Sequence, residues 1–276
     1  MDSTPNKWNV IRFENKELSL ETDEIVTEFP FTLILNGNEF ATIVCSPTNT
    51  RELIIGFLAS EGIVRFYHDI ESIKIDEERG FAYIETKRPI INAQQDHSKR
   101  FIGSCCGKSR QFYFKSDVKT AKTITSRLSI SVDQCLRLMK QLQLHSEQFK
   151  RTGGVHNAAI CTVDNILEIR TDIGRHNALD KVYGNILLNR LPLDDKLIVF
   201  SGRISSEVLL KISKIGVGML ISKAAPSDLA LKLAKDLGIT VVGFARGQTM
   251  NVYTHPFRII EANDVNKDEV ISSDIN

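Results

Sequence analysis

The chain has 276 residues, room for one large domain or two modest ones. Hydrophobic residues make up 42% and charged residues 25%, the balance of an ordinary folded protein, which excludes collagen-like, coiled-coil and wholly disordered chains. Lys plus Arg (35) nearly equals Asp plus Glu (34), so the uniform basic field behind sequence-independent nucleic-acid binding is missing and no nucleic-acid partner is expected. No apolar run approaches the roughly 20 residues that span a bilayer, and Met1-Asp2-Ser3-Thr4-Pro5-Asn6 has no apolar signal stretch. A cytoplasmic protein without membrane contact is expected. Cys45, Cys105, Cys106, Cys135 and Cys161 form no paired disulfide framework, and a reducing compartment keeps them as thiols.

In chain order, residues 1–20 mix polar and apolar positions. Two β-rich runs follow, 31–35 and 40–44, joined by Asn36-Gly37-Asn38, whose Asn and Gly tolerate the positive φ of a tight hairpin. Residues 51–61 suit a helix closed by Gly62, and 70–86 read as a second hairpin, giving a compact α+β unit. Residues 89–100 turn polar and lead to Cys105-Cys106. A second polar stretch precedes a helix predicted over 131–149, so the expected division is an N-terminal α+β domain at 1–119 and an α/β domain at 120–276.

The C-terminal part alternates strands and helices with little spare loop. Strands at 196–200, 217–221 and 239–244 are joined by helices at 205–215 and 228–237, ended by Gly216 and Gly238, with Ser227 as a cap. Strands joined in this way run parallel. Ligands in such sheets sit beyond the strand carboxyl ends, here Ser201-Gly202-Arg203, Ser222-Lys223-Ala224 and Ala245-Arg246-Gly247-Gln248. Each of those loops carries a cation.

Several groups of residues could carry chemistry. Cys105-Cys106 lies in a polar, Gly-flanked segment near Arg100, Lys108 and Arg110, and positive charge favours the nucleophilic thiolate; a buried, inert cysteine pair is the alternative. Two adjacent cysteines do not readily chelate one zinc, and no second pair completes a four-ligand site. Gly153-Gly154-Val155-His156 places a histidine after a flexible pair, and His176 and Asp180, four apart at a helix start, share a face on which Asp180 could orient the imidazole. The alternative for that pair is a solvated helix face. Residues 201–206 join strand to helix and present free amides to an anion, without the pattern of an NTPase P-loop. Phe244-Ala245-Arg246-Gly247-Gln248-Thr249 has the same logic, with Arg246 able to grip a phosphate.

Taken together, Ser-Cys-Cys-Gly-Lys (104–108), Gly-Gly-Val-His (153–156), Asp-Ile-Gly-Arg-His-Asn-Ala-Leu-Asp-Lys (172–181), Ser-Gly-Arg-Ile-Ser-Ser-Glu (201–207) and Val-Tyr-Thr-His-Pro (252–256) resemble the formate dehydrogenase accessory sulfurtransferases, the FdhD family. The likeness runs in order from about residue 28 to 260. It implies a cytoplasmic homodimer that accepts persulfide sulfur from a cysteine desulfurase. The sulfur passes to the bis-molybdopterin guanine dinucleotide molybdenum cofactor of formate dehydrogenase, which a guanine nucleotide would mimic. It also implies an α/β fold: a three-layer, cytidine deaminase-like C-terminal domain with a parallel or mixed sheet, beside the smaller N-terminal unit. The zinc deaminase signature itself is absent, since the first triplet reads His156-Asn157-Ala158 and no Pro-Cys-x-x-Cys follows.

The family pattern Cys-Gly-x-Cys-Gly is two residues shorter in this chain. Cys106 keeps the Cys-Gly step and is the expected persulfide carrier, with Cys105 beside it as the candidate electron donor for sulfur release. The resemblance assigns cofactor contact to Phe244, Ala245, Arg246, Gly247, Gln248 and Thr249, and no metal ligand to any side chain. The competing expectation is a chaperone that carries the molybdenum cofactor without transferring sulfur.

Overall fold

The computed structural model describes residues 6–87, 100–102 and 123–263, the segment 100–102 by its backbone. Cys105 and Cys106, with Lys108 and Arg110, lie outside the described residues, and Arg100 is described by its backbone alone. The first element is a two-stranded antiparallel ribbon of β1 (Asn6–Glu14) and β2 (Glu17–Ile25). Its turn puts Asn15 at φ 51 and Lys16 at φ 70.

The expected hairpin at 31–44 is β3 (Phe29–Leu35) and β4 (Asn38–Cys45), turned by Asn36 at φ 48 and Gly37 at φ 77. Both central residues have positive φ, the backbone that follows the strands' own twist. Helix α1 (Thr50–Ser60) comes next, then the second expected hairpin, β5 (Ile70–Asp76) and β6 (Phe81–Thr86). Strand β6 pairs parallel with β3, and β7 (Arg100–Ile102) parallel with β4, giving a five-stranded sheet ordered β5-β6-β3-β4-β7.

The helix predicted over 131–149 is two helices, α2 (Val132–Leu144) and α3 (Glu147–Thr152). Ser131 caps α2 through a reciprocal pair with Gln134. The break falls at Ser146, whose hydroxyl donates to the Leu142 carbonyl at 2.5 Å, the local competition with helix bonding that serine offers.

Strands β8 (His156–Cys161) and β9 (Ile166–Asp172) form a hairpin that feeds α4 (Arg175–Asn189). Then β10 (Leu197–Phe200), α5 (Ser206–Ile215), β11 (Met219–Ser222), α6 (Asp228–Leu237) and β12 (Thr240–Arg246) follow in alternation. Strands β10, β11 and β12 are parallel, as their connections require. Ser205 and Ser227 cap their helices, and Gly216 (φ 100) and Gly238 (φ 72) end them. Strand β13 (Thr249–Thr254) closes the edge antiparallel to β12, and the six-stranded sheet is ordered β13-β12-β11-β10-β8-β9.

Helix α2 covers one face of that sheet, setting Leu138, Met139 and Leu142 against Ala159, Val199 and Ile221. Helices α4, α5 and α6 cover the other, where Ile160, Ile198, Phe200 and Leu220 join a core that continues through α1 to Phe31, Leu33, Ile43 and Ile84 of the smaller sheet. The fold class is therefore α/β: a three-layer unit with a mixed sheet and a smaller N-terminal α+β unit. The expected division at 119/120 falls outside the described residues, and the core includes side chains from both sides of it. Among the described residues no helix is long and apolar enough to cross a membrane.

Candidate functional site at the strand carboxyl edge

Because β8 is antiparallel to both β9 and β10, its amino end and the carboxyl ends of β9, β10, β11 and β12 share one edge of the sheet. The Gly-Gly-Val-His turn, the start of α4 and the three expected ligand loops all emerge there. Hydrogen bonds lock them to one another. Asn157 N donates to Ser201 Oγ at 2.8 Å and Ser201 N to Asn157 O at 2.9 Å, while Ser222 Oγ donates to Gly202 O at 2.8 Å. Phe244 N donates to Ala224 O at 3.3 Å, tying the last loop to the middle one. Gly202 is required: a Cβ there would lie 2.7 Å from the Phe200 ring and 3.3 Å from Arg175 Cβ.

The edge is receptive to anions for two reasons. Helices α4, α5 and α6 all begin at it, so the positive ends of their dipoles converge. It also gathers cations. Arg203 and Arg246 are exposed and Lys223 half-buried, and no carboxylate pairs with any of the three among the described residues. Lys223 Nζ lies 5.5 Å from the Phe149 ring centre and the Arg246 guanidinium 5.7 Å from that of Phe244. Sequence reasoning missed Phe149, which it had placed inside one long helix.

The segment 244–249 divides by side chain. Ala245 is buried in the core on the α2 face of the sheet, Phe244 is half-buried at φ 52 beside a register shift, and Arg246, Gly247, Gln248 and Thr249 are exposed. Thr249 Oγ1 donates to the Arg246 carbonyl at 3.2 Å and closes the turn, in which Gly247 has φ 59.

His156 is half-buried at this edge. Burial holds its pKa below the ordinary 6.5, the nearby Arg175 charge pushes the same way, and Asp172 opposes them. The expected pairing of His176 with Asp180 does not occur. His176 Nε2 lies 3.2 Å from Glu207 Oε2 on α5, whereas Asp180 is buried, accepts from Ser60 Oγ at 2.6 Å and pairs with Lys211. Residues four apart on a helix are offset by about 40°, enough to leave His176 on the rim while Asp180 faces α1 and α5.

The rest of that motif is a clamp between the two units. Lys181 Nζ pairs with Asp172 Oδ2 at 2.7 Å, both side chains fully buried, and also donates to the Ser46 and Thr171 carbonyls. Asp172 Oδ2 accepts Ser46 N at 3.1 Å, and Asn177 Nδ2 donates to Val44 O at 2.8 Å. The carboxylate and ammonium thereby gain the hydrogen bonds a buried charge needs.

Cys45, Cys135 and Cys161 are free but buried, and burial pushes each thiol up to about 12, so none is a nucleophile at neutral pH. Among the described residues no three His, Cys, Asp or Glu side chains are grouped to hold a metal ion. A groove of 1020 Å³, lined by Thr125, Arg127, Asp164, Asn165, Asp195 and Gly216, opens at the opposite end of the parallel strands and holds none of the motif residues.

Fold and edge together define an α/β protein whose rigid, cation-rich strand ends suit a phosphate-bearing ligand. The chain belongs to the FdhD/NarQ family, whose model matches residues 26–260. It is 58% identical over 253 residues to the sulfur carrier protein FdhD of Bacillus subtilis (strain 168), covering 92% of this chain and 97% of that one. It is 59% identical over 251 residues to the protein of the same name from Geobacillus kaustophilus (strain HTA426), covering 91% and 95%. In fold it is similar to a crystal structure from Desulfotalea psychrophila, described there only as a candidate formate dehydrogenase accessory protein. The TM-score is 0.76 at 23% identity, over 93% of this chain and all of that one.

Proposed function

We propose that this chain is a sulfur carrier and sulfurtransferase that accepts persulfide sulfur from a cysteine desulfurase on Cys106. It delivers that sulfur to the bis-molybdopterin guanine dinucleotide molybdenum cofactor that formate dehydrogenase requires. Support for the carrier role comes from relatives named as sulfur carriers at more than half identity over nearly the whole chain. The observation that carries the chemical reading is the state of the thiols: the three described cysteines are buried and pushed to about 12, which leaves Cys105 and Cys106 as the candidates for exchange.

In the loading step the Cys106 thiolate attacks the terminal sulfur of the desulfurase persulfide. The S–S bond on the desulfurase breaks, its cysteine leaves as thiolate, and a new S–S bond forms on Cys106. Release of that sulfur as sulfide consumes an electron pair. Cys105 supplies it by attacking the Cys106 sulfur, so that a Cys105–Cys106 disulfide forms as hydrosulfide leaves, and a cellular thiol reductant then resets the pair. The cofactor is substrate in this scheme. Arg203, Lys223 and Arg246, with the amino ends of α4, α5 and α6, hold its phosphates. A guanine nucleotide occupies the same edge.

Intact-mass analysis after incubation with a desulfurase and cysteine tests the reading. The wild-type chain should gain ~32 Da, lost on reduction, the sulfane-sulfur analogue of other reversible thiol caps. Cys106→Ala should not gain it. A Cys106→Ala chain that takes up no sulfur yet still activates formate dehydrogenase would instead mark a chaperone that carries cofactor without transferring sulfur.

A further inference from the structure

Cations inside this fold are commonly held by carboxylates: Arg170 by Glu52, Lys181 by Asp172 and Lys211 by Asp180. Lys223, half-buried at the carboxyl edge, has no carboxylate among the described residues and lies 5.5 Å from the centre of the Phe149 ring instead. The two kinds of partner have opposite consequences for an anion site. A carboxylate fixes an ammonium and cancels its charge, whereas the electron-rich face of an aromatic ring fixes it and leaves the charge available. Arg246 repeats the arrangement on the neighbouring loop, 5.7 Å from the Phe244 ring.

We propose that Phe149 is a positioning residue for the anion site: its ring holds the Lys223 ammonium in place for a phosphate while leaving its charge uncancelled. The inference rests on the phosphate reading of the edge and adds to it a residue outside all five sequence motifs. The ring itself is well anchored. Helix α3 ends at Gly153, which takes φ 66 and donates its N–H to the Phe149 carbonyl at 2.8 Å. Arg151, two residues on, pairs with Glu24 at 2.5 Å, and the Val26 side chain occupies the place a Cβ on Gly154 would take. The cations of α3 are engaged elsewhere, Arg151 on Glu24 and Lys150 on the Leu144 carbonyl at 2.9 Å, so Phe149 is the side chain that α3 sets against Lys223. The backbone of the Lys223 loop is fixed as well, since Lys223 N donates to Phe200 O at 3.4 Å and Ala224 N to Ser222 Oγ at 3.1 Å. What remains free to wander is the four-carbon stem, whose rotamer freedom would otherwise be lost on binding. A ring beside the ammonium restricts that freedom beforehand, which is preorganisation of the donor.

Calorimetry on the full chain, with inorganic pyrophosphate and with guanosine diphosphate, tests the inference. Phe149→Leu should weaken both ligands about 3- to 10-fold, the scale of a partly desolvated cation–π contact, and Phe149→Tyr, which keeps the ring, should bind as the wild type does. Lys223→Met should weaken both ligands further, and adding Phe149→Leu to it should change nothing more, because one residue acts through the other. Phe149 is 41% exposed, so the fold should survive these changes, which far-UV circular dichroism checks. A readout without ligand comes from NMR: the Phe149 ring current should move the Lys223 Cε protons upfield, and Phe149→Leu should abolish that displacement. Equal affinity in wild type and Phe149→Leu, a loss that Phe149→Tyr shares, or additive losses in the double variant would each overturn the proposal. Weakened guanosine diphosphate with unchanged pyrophosphate would overturn it in favour of a ring that stacks on the base. A wild-type chain that binds neither ligand would remove the phosphate reading of the edge and this inference with it, an outcome distinct from tight binding that ignores Phe149.

Discussion

Asp172 and Lys181 show how much of a conspicuous motif can be structural. Both side chains are fully buried, and each charge is satisfied by the other and by backbone groups of Ser46, just after β4, or of Thr171 on β9. Removing one partner leaves the other buried and uncompensated, so Asp172→Ala should cost about 3–5 kcal/mol in urea unfolding. Replacing both residues together, with Asp172→Leu and Lys181→Met, should recover part of that loss. His156 makes the contrasting case, since its pKa lies below 6.5 in the fold through burial and the Arg175 charge. Between the two values the unfolded chain binds a proton that the folded chain does not. Its contribution to stability is therefore whole above about pH 6.5 and falls as the pH drops toward the folded value. Urea midpoints measured from pH 5 to 7 should flatten in His156→Gln; an unchanged slope would place the titration elsewhere. The sequence could show that these residues were polar and periodically spaced. It could not show which would be buried, because Asp172 and Asp180 find their partners 126 and 120 residues away, at Ser46 and Ser60.

Elements were legible where local chemistry decided them. Asn36-Gly37 turns β3 into β4 because both residues take positive φ, and Ser205, Gly216, Ser227 and Gly238 bound α5 and α6 by capping. The first hairpin escaped notice because its turn has the same backbone but reads Asn15-Lys16, and lysine is not a turn signal. Its strands gave no cleaner cue, as both faces mix charge with apolar residues. The packing of α1 on α4 was equally hidden. A Cβ on Gly56 would sit 1.8 Å from the Asp180 carbonyl oxygen, and one on Gly184 1.9 Å from that of Glu52, so the backbones meet where each helix has no side chain. Around this contact Glu52 accepts from Arg170 and from Asn185, the latter at 3.0 Å. Gly184→Ala should destabilise the chain by about 3 kcal/mol or more, since backbone atoms cannot swing aside as a side chain can. Gly37→Ala, at an open turn with positive φ, should cost only about 1 kcal/mol. Thermal melts of the two variants give the comparison, and equal shifts would mean that the helices separate to admit the methyl group.

At the scale of the whole molecule, one apolar core runs from the five-stranded sheet through α1 and α4 to the six-stranded sheet, and the buried clamp at Asp172 crosses the same junction. That continuity gives the carboxyl edge its rigidity. The loops bearing Arg203, Lys223 and Arg246 hang from strands buried on both faces, so a phosphate bound as proposed would meet donors already in place. It also dictates how the molecule comes apart. Neither unit can lose its packing without exposing the side chains of the other, so far-UV circular dichroism should report a single cooperative urea transition for the described helices and sheets. The arm formed by the β1–β2 ribbon, which joins neither larger sheet, is the exception. The chain's single tryptophan, Trp8, lies on it, 63% exposed, and the register places Trp8 on the face away from Ile11 and Phe13. Its emission should therefore be that of a solvated indole in the native state and change at lower urea than the circular dichroism, because the arm opens locally before the core. Gly184→Ala should move the circular dichroism midpoint and leave the early change in Trp8 emission in place. Coincident transitions that shift together in that variant would show the arm to be part of the same cooperative unit as the core.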